Sequence, residues 1–427
     1  MNIALVSLGC NKNLVDSEMI LGMMLKNGFN ITSDESEADY IIVNTCAFIN
    51  DAQKESIDTI IKMGEYKKQN CKGLIVTGCL ANRYEKQIKE LLPEVDCVAE
   101  INDYKKIIEF IKKDGDSNIN YTERVLSTPP YTAYVKIADG CDNTCTYCII
   151  PKLRGKYKSR TIEDIETEIK HLATIGVTEV VLVAQDTSCY GIDIYGESKL
   201  AELLRKIEKV EGITWVRILY TYPEGITDEL LEVIKNSKKI CKYFDIPIQH
   251  INNEVLKRMG RNTTKEKILE LINKIKTNMP DAVLRTSLIV GFPGETEEQF
   301  NELKEFVSMG YFDRLGVFEY SKEDGTPAAK LKEQILKKIK KVRRNKIMEV
   351  QQKVSLENNK KIIGEQLEVL VEGKLNETTF FGRTYKDAPE IDGLTFIETD
   401  EELPLGDFIT VKITGAKEYD LIAKVNL

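Results

Sequence analysis

The sequence predicts an α/β protein in three parts: an open parallel α/β sheet, an incomplete (βα)6 barrel and a small antiparallel β-barrel. Three observations predict this. Over the first ~125 residues short apolar runs alternate with helix-periodic segments. Six further strand-like runs separated by helical stretches follow between residues 131 and 322. From residue 358 onward the pattern changes to short alternating runs punctuated by Gly. A length of 427 residues agrees with about three domains.

In the first part, residues 1–125, the runs NIALVSLG, ADYIIVNT and GLIVTG read as buried parallel strands. A polar stretch near 114–120 and the TPP at 128–130 break the alternation and mark a linker. In the second part, residues 127–357, the strands are YVKIADG, VTEVVLVAQD, WVRILYTYP, YFDIPIQ, AVLRTSLIVGFPG and RLGVFEYS. Two helices are expected to begin in capping boxes, Thr263 with Glu266 and Thr296 with Gln299. Six βα units suit an incomplete barrel better than an eight-fold one. A long basic helix containing KKIKKVRRNK is expected to run to about residue 357. In the third part, residues 358–427, QLEVLVEG, LTFIETD and DFITVKIT read as strands of a small barrel.

Composition narrows the function. Apolar content of 42% supports sizeable cores, and no apolar run approaches the ~20 residues that cross a bilayer. The opening MNIALVSLGC lacks a basic n-region and reads as a first strand rather than a signal peptide, so a cytoplasmic location is expected, without membrane attachment. Ten cysteines in a reducing compartment point to metal or redox chemistry rather than disulfides. A net charge of −8 gives no global basic field for nucleic acid.

The cysteines fall into two triplets. CDNTCTYC places Cys141, Cys145 and Cys148 within eight positions. Structural zinc takes four protein ligands, usually as two separated pairs. A triplet suits a [4Fe–4S] cluster whose fourth iron stays open, where S-adenosylmethionine can chelate through its amine and carboxylate. A zinc knuckle borrowing a distant ligand is the alternative. Cys10, Cys46 and Cys79 each follow a strand of the first part. Ligands of parallel α/β sheets gather at the carboxyl ends of strands, so these three thiols should converge on one edge. Cys71 and Cys97 are placed just before strands, at the opposite edge; Cys241 reads as core and Cys189 as a loop bystander. With two histidines, His171 and His250, a His-rich metal site is excluded.

These residues carry a family resemblance that covers the whole chain. CDNTCTYC in a six-unit βα domain resembles the radical S-adenosylmethionine superfamily. The N-terminal triplet and the final β-barrel narrow the resemblance to the methylthiotransferases, in which a cluster domain, a radical domain and a TRAM domain follow one another. SLGCNKNLVDSE, VAQDTSCYG, DIPIQHINNEVLKRM, RLGVFEYSKEDGTPA and GRTYKDAPEIDG resemble the branch acting on an aspartate of the twelfth small-subunit ribosomal protein. The other branch acts on an adenosine of tRNA. Charge agrees with the first branch: residues 361–427 hold seven Lys and Arg against fourteen Asp and Glu, a net −7. A domain that grips phosphates needs cations, so tRNA is not the expected partner, whereas a basic ribosomal protein is.

The resemblance implies two [4Fe–4S] clusters, on Cys141, Cys145 and Cys148 and on Cys10, Cys46 and Cys79, S-adenosylmethionine, and a low-potential electron donor. It implies radical removal of a hydrogen from the aspartate β-carbon, followed by insertion of sulfur and methylation. It also suggests that Gln185 and Asp186, at the end of the second barrel strand, hold the amine of S-adenosylmethionine. Three further candidates have structural alternatives: Tyr147 packs against the adenine or within its loop, Gln249 and His250 bind the ribose or serve the core, and GFPGET with Gly291 borders the adenine or shapes a turn. Arg154 and Arg160 are candidates for the cofactor carboxylate or the substrate aspartate. The basic helix would touch ribosomal RNA or be a solvated face. An iron–sulfur electron carrier and a zinc-bearing nucleic-acid module remain as rival readings.

Overall fold

The computed structural model describes residues 1–425. Its first unit contains β1 (Asn2–Ser7), α1 (Asn11–Lys26), β2 (Asn30–Ile31), β3 (Tyr40–Thr45), α2 (Asn50–Gly64), β4 (Gly73–Gly78), α3 (Cys79–Leu91), β5 (Cys97–Val98) and α4 (Tyr104–Ile111). The five strands are parallel, in the order β2-β1-β3-β4-β5. Alternate residues serve opposite faces, as the pleat requires. Ile41, Val43, Leu74 and Val76 enter one core, and Ile3, Ile42 and Ile75 the other. This order has its switch point between β1 and β3, where a crevice opens at the carboxyl ends of the strands. The three apolar runs of the sequence are β1, β3 and β4. The edge strands β2 and β5 have two residues each, too few to leave a pattern. Cys97, expected before a strand, lies inside β5.

The second unit opens with β6 (Thr132–Lys136), β7 (Ala138–Asp139), α5 (Ile150–Arg154), β8 (Lys158–Ser159) and α6 (Ile162–Thr174). It continues through β9 (Glu179–Val183), α7 (Ile192–Tyr195), α8 (Leu200–Ile207), β10 (Trp215–Ile218), α9 (Asp228–Asn236) and β11 (Tyr243–Asp245). It closes with α10 (Asn253–Arg258), α11 (Lys265–Asn278), β12 (Val283–Val290), α12 (Glu297–Ser308), β13 (Arg314–Glu319) and α13 (Lys337–Lys361). Strands β6, β9 and β10 form one parallel sheet and β11, β12 and β13 another. A bridge between Val216 and Ile240 joins them into a six-stranded partial barrel. Val180, Leu182 and Ala184 pack outward under the helices, while Val181, Val183, Trp215 and Tyr243 share an inner layer.

Two local expectations need correction. The Thr296–Gln299 capping box forms, but α11 is capped by Thr264, whose hydroxyl accepts from the Lys267 N–H, and not by Thr263. Two adjacent threonines before one helix cannot be told apart by pattern. Helix α13 ends at Lys361, four residues beyond the expected 357, because no helix breaker precedes Gly364.

The third unit is a closed five-stranded barrel of β14 (Gln366–Asn376), β15 (Thr379–Thr384), β16 (Thr395–Glu398), β17 (Phe408–Ala416) and β18 (Leu421–Val425). Its pairings are antiparallel except β16 with β18, which is parallel. It docks beneath the large barrel, at the amino ends of the strands. Arg383 donates to Glu179 Oε2 at 2.6 Å, and Arg217 donates from Nε to Glu179 Oε1 at 3.2 Å and from Nη1 to the Tyr385 carbonyl at 2.8 Å. Arg314 pairs with Asp387 at 2.6 Å, Arg285 with Asp392 at 3.5 Å, and Trp215 meets Phe408 edge to face at 4.7 Å. Glu179, Arg217 and Arg383 are almost wholly buried.

Burial pushes the Glu179 carboxyl up, but Arg383 and Arg217 pull it down further, to about 2. This carboxylate therefore stabilises the fold above about pH 4.5, and that contribution is lost as pH falls towards 2. Arg383→Met breaks a buried pair and should cost about 3–5 kcal/mol at neutral pH. In thermal melts the gap between parent and variant should narrow as pH falls through that window; a gap independent of pH would contradict the pairing.

Candidate active site

Gly9 and Gly78 stand before Cys10 and Cys79 at the ends of β1 and β4, both with φ of +92°. A Cβ on Gly9 would meet Cys46 Cβ at 2.8 Å and Sγ at 3.0 Å. One on Gly78 would meet Asn44 Oδ1 at 2.3 Å. Only glycine allows the strand ends to approach this closely, and the approach brings three thiols to one edge. Cys46 is held at its peptide by Ser56 of α2, which accepts from its N–H at 3.0 Å and donates to its carbonyl at 2.8 Å. Asn13, on the first turn of α1, donates to the Leu8 and Thr45 carbonyls, each at 2.9 Å, and its Oδ1 lies 3.9 Å from Cys79 Sγ. One buried amide thus ties the loops after β1 and β3 to the thiol after β4. Cys71 sits beyond the other end of β4.

The thiols differ in acidity. Burial pushes Cys79 up to about 12, against the opposing pull of Arg154, and the charges of Cys10 and Cys46 add to the rise. Burial also raises Cys46. At Cys10 the surrounding protein raises the pKa, but the Lys12 ammonium, Arg154 and the N–H groups of Asn13 and Lys12 outweigh it, leaving the thiol below its usual value. Cys10 is also the exposed member of the three.

The second triad lies in the loop between β7 and α5. The Cys141 N–H donates to the Gly155 carbonyl at 3.1 Å, and the Cys148 N–H to that of Cys145 at 3.1 Å. Thr146 anchors the loop on the end of α10, through Thr146 N to the Met259 carbonyl at 2.9 Å and Thr146 Oγ1 to the Arg258 carbonyl at 2.7 Å. Burial pushes Cys148 up to about 12, with Cys145 and Cys141 adding to it, and raises Cys141.

Around Cys145 the structure gathers residues from three elements. Tyr222 Oη is 3.6 Å from its sulfur, and Arg261 Nη1 donates to it at 3.9 Å. The Arg261 guanidinium lies 4.1 Å over the Tyr222 ring. Burial first, and then the Cys145 charge, push the Tyr147 and Tyr222 phenols well above their usual range. Tyr222 and Arg261 carried no signal in the sequence; an arginine just after a helix and a tyrosine just after a strand are ordinary there.

The other candidates divide. Gln185 donates to Asp139 Oδ1 at 3.0 Å, and its buried Oε1 has no partner among the described residues. Asp186 is buried and accepts from Asn143 at 2.8 Å and from the Cys189 thiol at 3.3 Å, so both stand beside the second triad. Gln249, expected to end the fourth barrel strand, lies four residues beyond β11 with a left-handed φ of +69°, a strained position for a residue with a Cβ. His250 is fully buried; its Nδ1 accepts from the Asn252 N–H at 3.0 Å, and burial holds the ring neutral with a pKa near 3. Gly291 faces α13, where a Cβ would meet Lys340 Cγ at 2.4 Å. Arg160 is turned to the outside of the barrel, donating to Asp164 at 2.6 Å and to Glu168 at 2.5 Å and stacking 3.4 Å over Tyr121. Arg154 faces the first triad. It pairs with Asp139 through Nη1 and with Asp16 through Nη2, both at 2.9 Å, and Nη2 also donates to Asn13 Oδ1.

The two halves touch at a second point. Arg83 of α3 donates to the Ala47 carbonyl at 3.0 Å and to Glu323 Oε2 at 2.9 Å, and Gln53 also donates to Glu323. The loop carrying Cys46 is thereby tied to the loop after the sixth barrel strand.

All ten cysteines are free thiols. Among the described residues no three His, Cys, Asp or Glu side chains are arranged to hold a single metal ion. That bears on a mononuclear site such as structural zinc. A cubane cluster takes each thiolate at a separate corner. At the second triad, three thiols with buried polar atoms left unpaired beside them, Gln185 Oε1 and Arg261 Nε, fit a cluster with a polar ligand next to it.

Comparison with known proteins gives the following. Residues 135–307 match the radical SAM superfamily, residues 2–100 the uncharacterized protein family UPF0004, and residues 363–425 the TRAM domain. The chain is 54% identical, over 99% of its length and 98% of the relative's, to ribosomal protein uS12 methylthiotransferase RimO of Clostridium botulinum strain Hall. It is 52% identical to the protein of the same name from Lachnoclostridium phytofermentans, over 99% of both chains. Among solved structures, the radical S-adenosylmethionine methyltransferase TsrM of Kitasatospora setae, with cobalamin and a [4Fe-4S] cluster bound, aligns at a TM-score of 0.54 and 14% identity. That alignment covers 77% of this chain and 76% of TsrM, and it bears on the fold.

The first triad predicts an order of reactivity in metal-free protein. Brief iodoacetamide treatment near pH 8, read by peptide mass spectrometry, should modify Cys10 first and Cys79 and Cys148 last, because thiolate fraction and access set the rate. Equal modification of Cys79 and Cys10 would contradict the site described.

Proposed function

This chain belongs to the RimO family of uS12 methylthiotransferases, and we propose that it replaces a hydrogen on the β-carbon of an aspartate of ribosomal protein uS12 with a methylthio group. The observation that carries the reading is the pair of thiol triads joined by one short helix, α5. On this reading Cys141, Cys145 and Cys148 hold one [4Fe–4S] cluster, and Cys10, Cys46 and Cys79 hold a second. When bound, the first cluster with S-adenosylmethionine supplies radical chemistry able to break an unactivated C–H bond, and the second supplies sulfur.

The protein's share is binding, orientation and exclusion of water. Each triad leaves a fourth corner without a protein ligand, so small molecules can reach it. On this reading Gln185 and Asp186 receive the amine of S-adenosylmethionine; the unpaired Gln185 Oε1 is an acceptor that supports it. Tyr147 and Tyr222 wall Cys145 from solvent, and Arg261 lends its sulfur a hydrogen-bond donor. Seven of the thirteen amino-terminal residues from Ser7 to Met19 are buried, as are Cys141 and Cys145. This burial supports shielding of the second triad and of the helix behind the first, while Cys10 stays open to solvent. A low-potential electron donor and a second S-adenosylmethionine as methyl source complete the stoichiometry. Among the described residues no helix is long and apolar enough to cross a membrane; on this reading the enzyme works in the cytoplasm, because its substrate is a ribosomal protein. The net −7 of residues 361–427 supports a basic protein substrate over tRNA.

Anaerobically loaded enzyme, uS12 and a reductant should give a methylthiolated aspartate by mass spectrometry, while an adenosine-bearing tRNA stem-loop stays unmodified. Replacing Cys10, Cys46 and Cys79 together by Ala should halve the iron, retain cleavage of S-adenosylmethionine and abolish thiomethylation. Loss of cleavage as well, or zinc without iron in the parent, would overturn the reading.

A further inference from the structure

Arg154 belongs by sequence to the barrel unit, six residues after Cys148, yet it ends among the thiols of the first unit. Helix α5 makes this possible. Ile149 and Leu153 pack in the core of the N-terminal sheet with Cys79, Leu80 and Ala81, and the Leu153 carbonyl accepts from Asn82 of α3 at 2.9 Å. The guanidinium at the end of α5 is then held from both sides: by Asn13 and Asp16 of α1, and by Asp139, which precedes Cys141. Its Nη2 shares Asn13 Oδ1 with the Cys79 sulfur. Lys136 completes the group by pairing with Asp16 and Asp139. Arg154 is 2% exposed in its side chain and Asp16 is 6% exposed, so water screens these charges little. Lys12, over the Tyr220 ring at 3.4 Å, is the other nearby cation.

We propose that Arg154 is the barrel's electrostatic contribution to the N-terminal cluster: a positioning residue that docks the two units and stabilises the extra negative charge of that cluster when it is reduced. The inference rests on the reading of Cys10, Cys46 and Cys79 as a cluster site. Reduction adds one electron, and so one negative charge, to a group already carrying three thiolates. A fixed guanidinium favours the reduced form, so its removal shifts the midpoint potential negative. Without Arg154 the Asp16 and Asp139 carboxylates would face the triad with Lys136 alone between them. The same residue fixes where the two triads stand relative to each other, so docking and cluster charge are coupled through one side chain.

The test uses full-length protein in which Cys141, Cys145 and Cys148 are Ala, so that only the N-terminal site can load. Iron and sulfide are counted first, and the midpoint potential is then read by anaerobic redox titration followed by electron paramagnetic resonance. Arg154→Gln should shift the potential negative. Arg154→Lys, which keeps the charge but loses the two-sided fork, should stay near the parent potential while lowering the melting temperature. Asp139→Asn removes one carboxylate while keeping the Arg154 charge and its Asn13 and Asp16 partners, and should shift the potential positive, an arm that does not depend on the Gln variant folding. Failure of the parent background to load iron would remove the cluster reading and this inference with it. A loaded site whose potential is the same in the Gln and Asn variants as in the parent would overturn the inference alone.

Discussion

The arrangement of the active face depends on one buried ionic group, Lys136 and Arg154 against Asp16 and Asp139. Two cations and two anions inside a protein are costly to desolvate and are tolerated when each finds its partners. Here the partners come from different units: Asp16 from α1 of the sheet, the other three from the barrel. Separating the units would strand a buried charge on each side. The thiols on both sides inherit this constraint, because Asp139 precedes Cys141 by two residues and Asn13, on the turn before Asp16, reaches Cys79. Docking geometry and thiol geometry are therefore one problem with one solution.

The C-terminal barrel repeats the device at the opposite end. Glu179, Arg217 and Arg383 form a buried cluster under the strands, and Asp387 and Asp392 meet Arg314 and Arg285 beside it. Part of the acidity of this barrel is thus spent on docking rather than presented to a partner. The pairing runs both ways: the C-terminal barrel gives Arg383 to Glu179 of the large barrel and takes Arg314 and Arg285 on Asp387 and Asp392.

Much of the fold was legible because parallel strands buried on both faces read as apolar runs. Each of the six barrel strands and the central strands β1, β3 and β4 announced itself in this way. The two-residue edges β2 and β5 did not, because a pairing that short is imposed by its neighbours. The thiol triads were legible for a related reason: each of Cys10, Cys46 and Cys79 follows a run whose direction is known once the sheet is parallel. What stayed hidden is everything set by packing between units. Arg154 and Arg160 look alike in LRGKYKSR, yet α5 sends the first inward to Asn13 and Asp16, and the second stacks outside on Tyr121. Arg261 and Tyr222 meet at Cys145 across almost forty residues, a contact with no local signature.

The central claim is that two clusters sit on these triads with the Arg154 network between them. Anomalous diffraction at the iron edge from anaerobically loaded crystals tests it directly. The account predicts two iron sites, one within the thiols of Cys10, Cys46 and Cys79 and one within those of Cys141, Cys145 and Cys148, flanking α5. A single iron site, or a second one away from the N-terminal thiols, would contradict it.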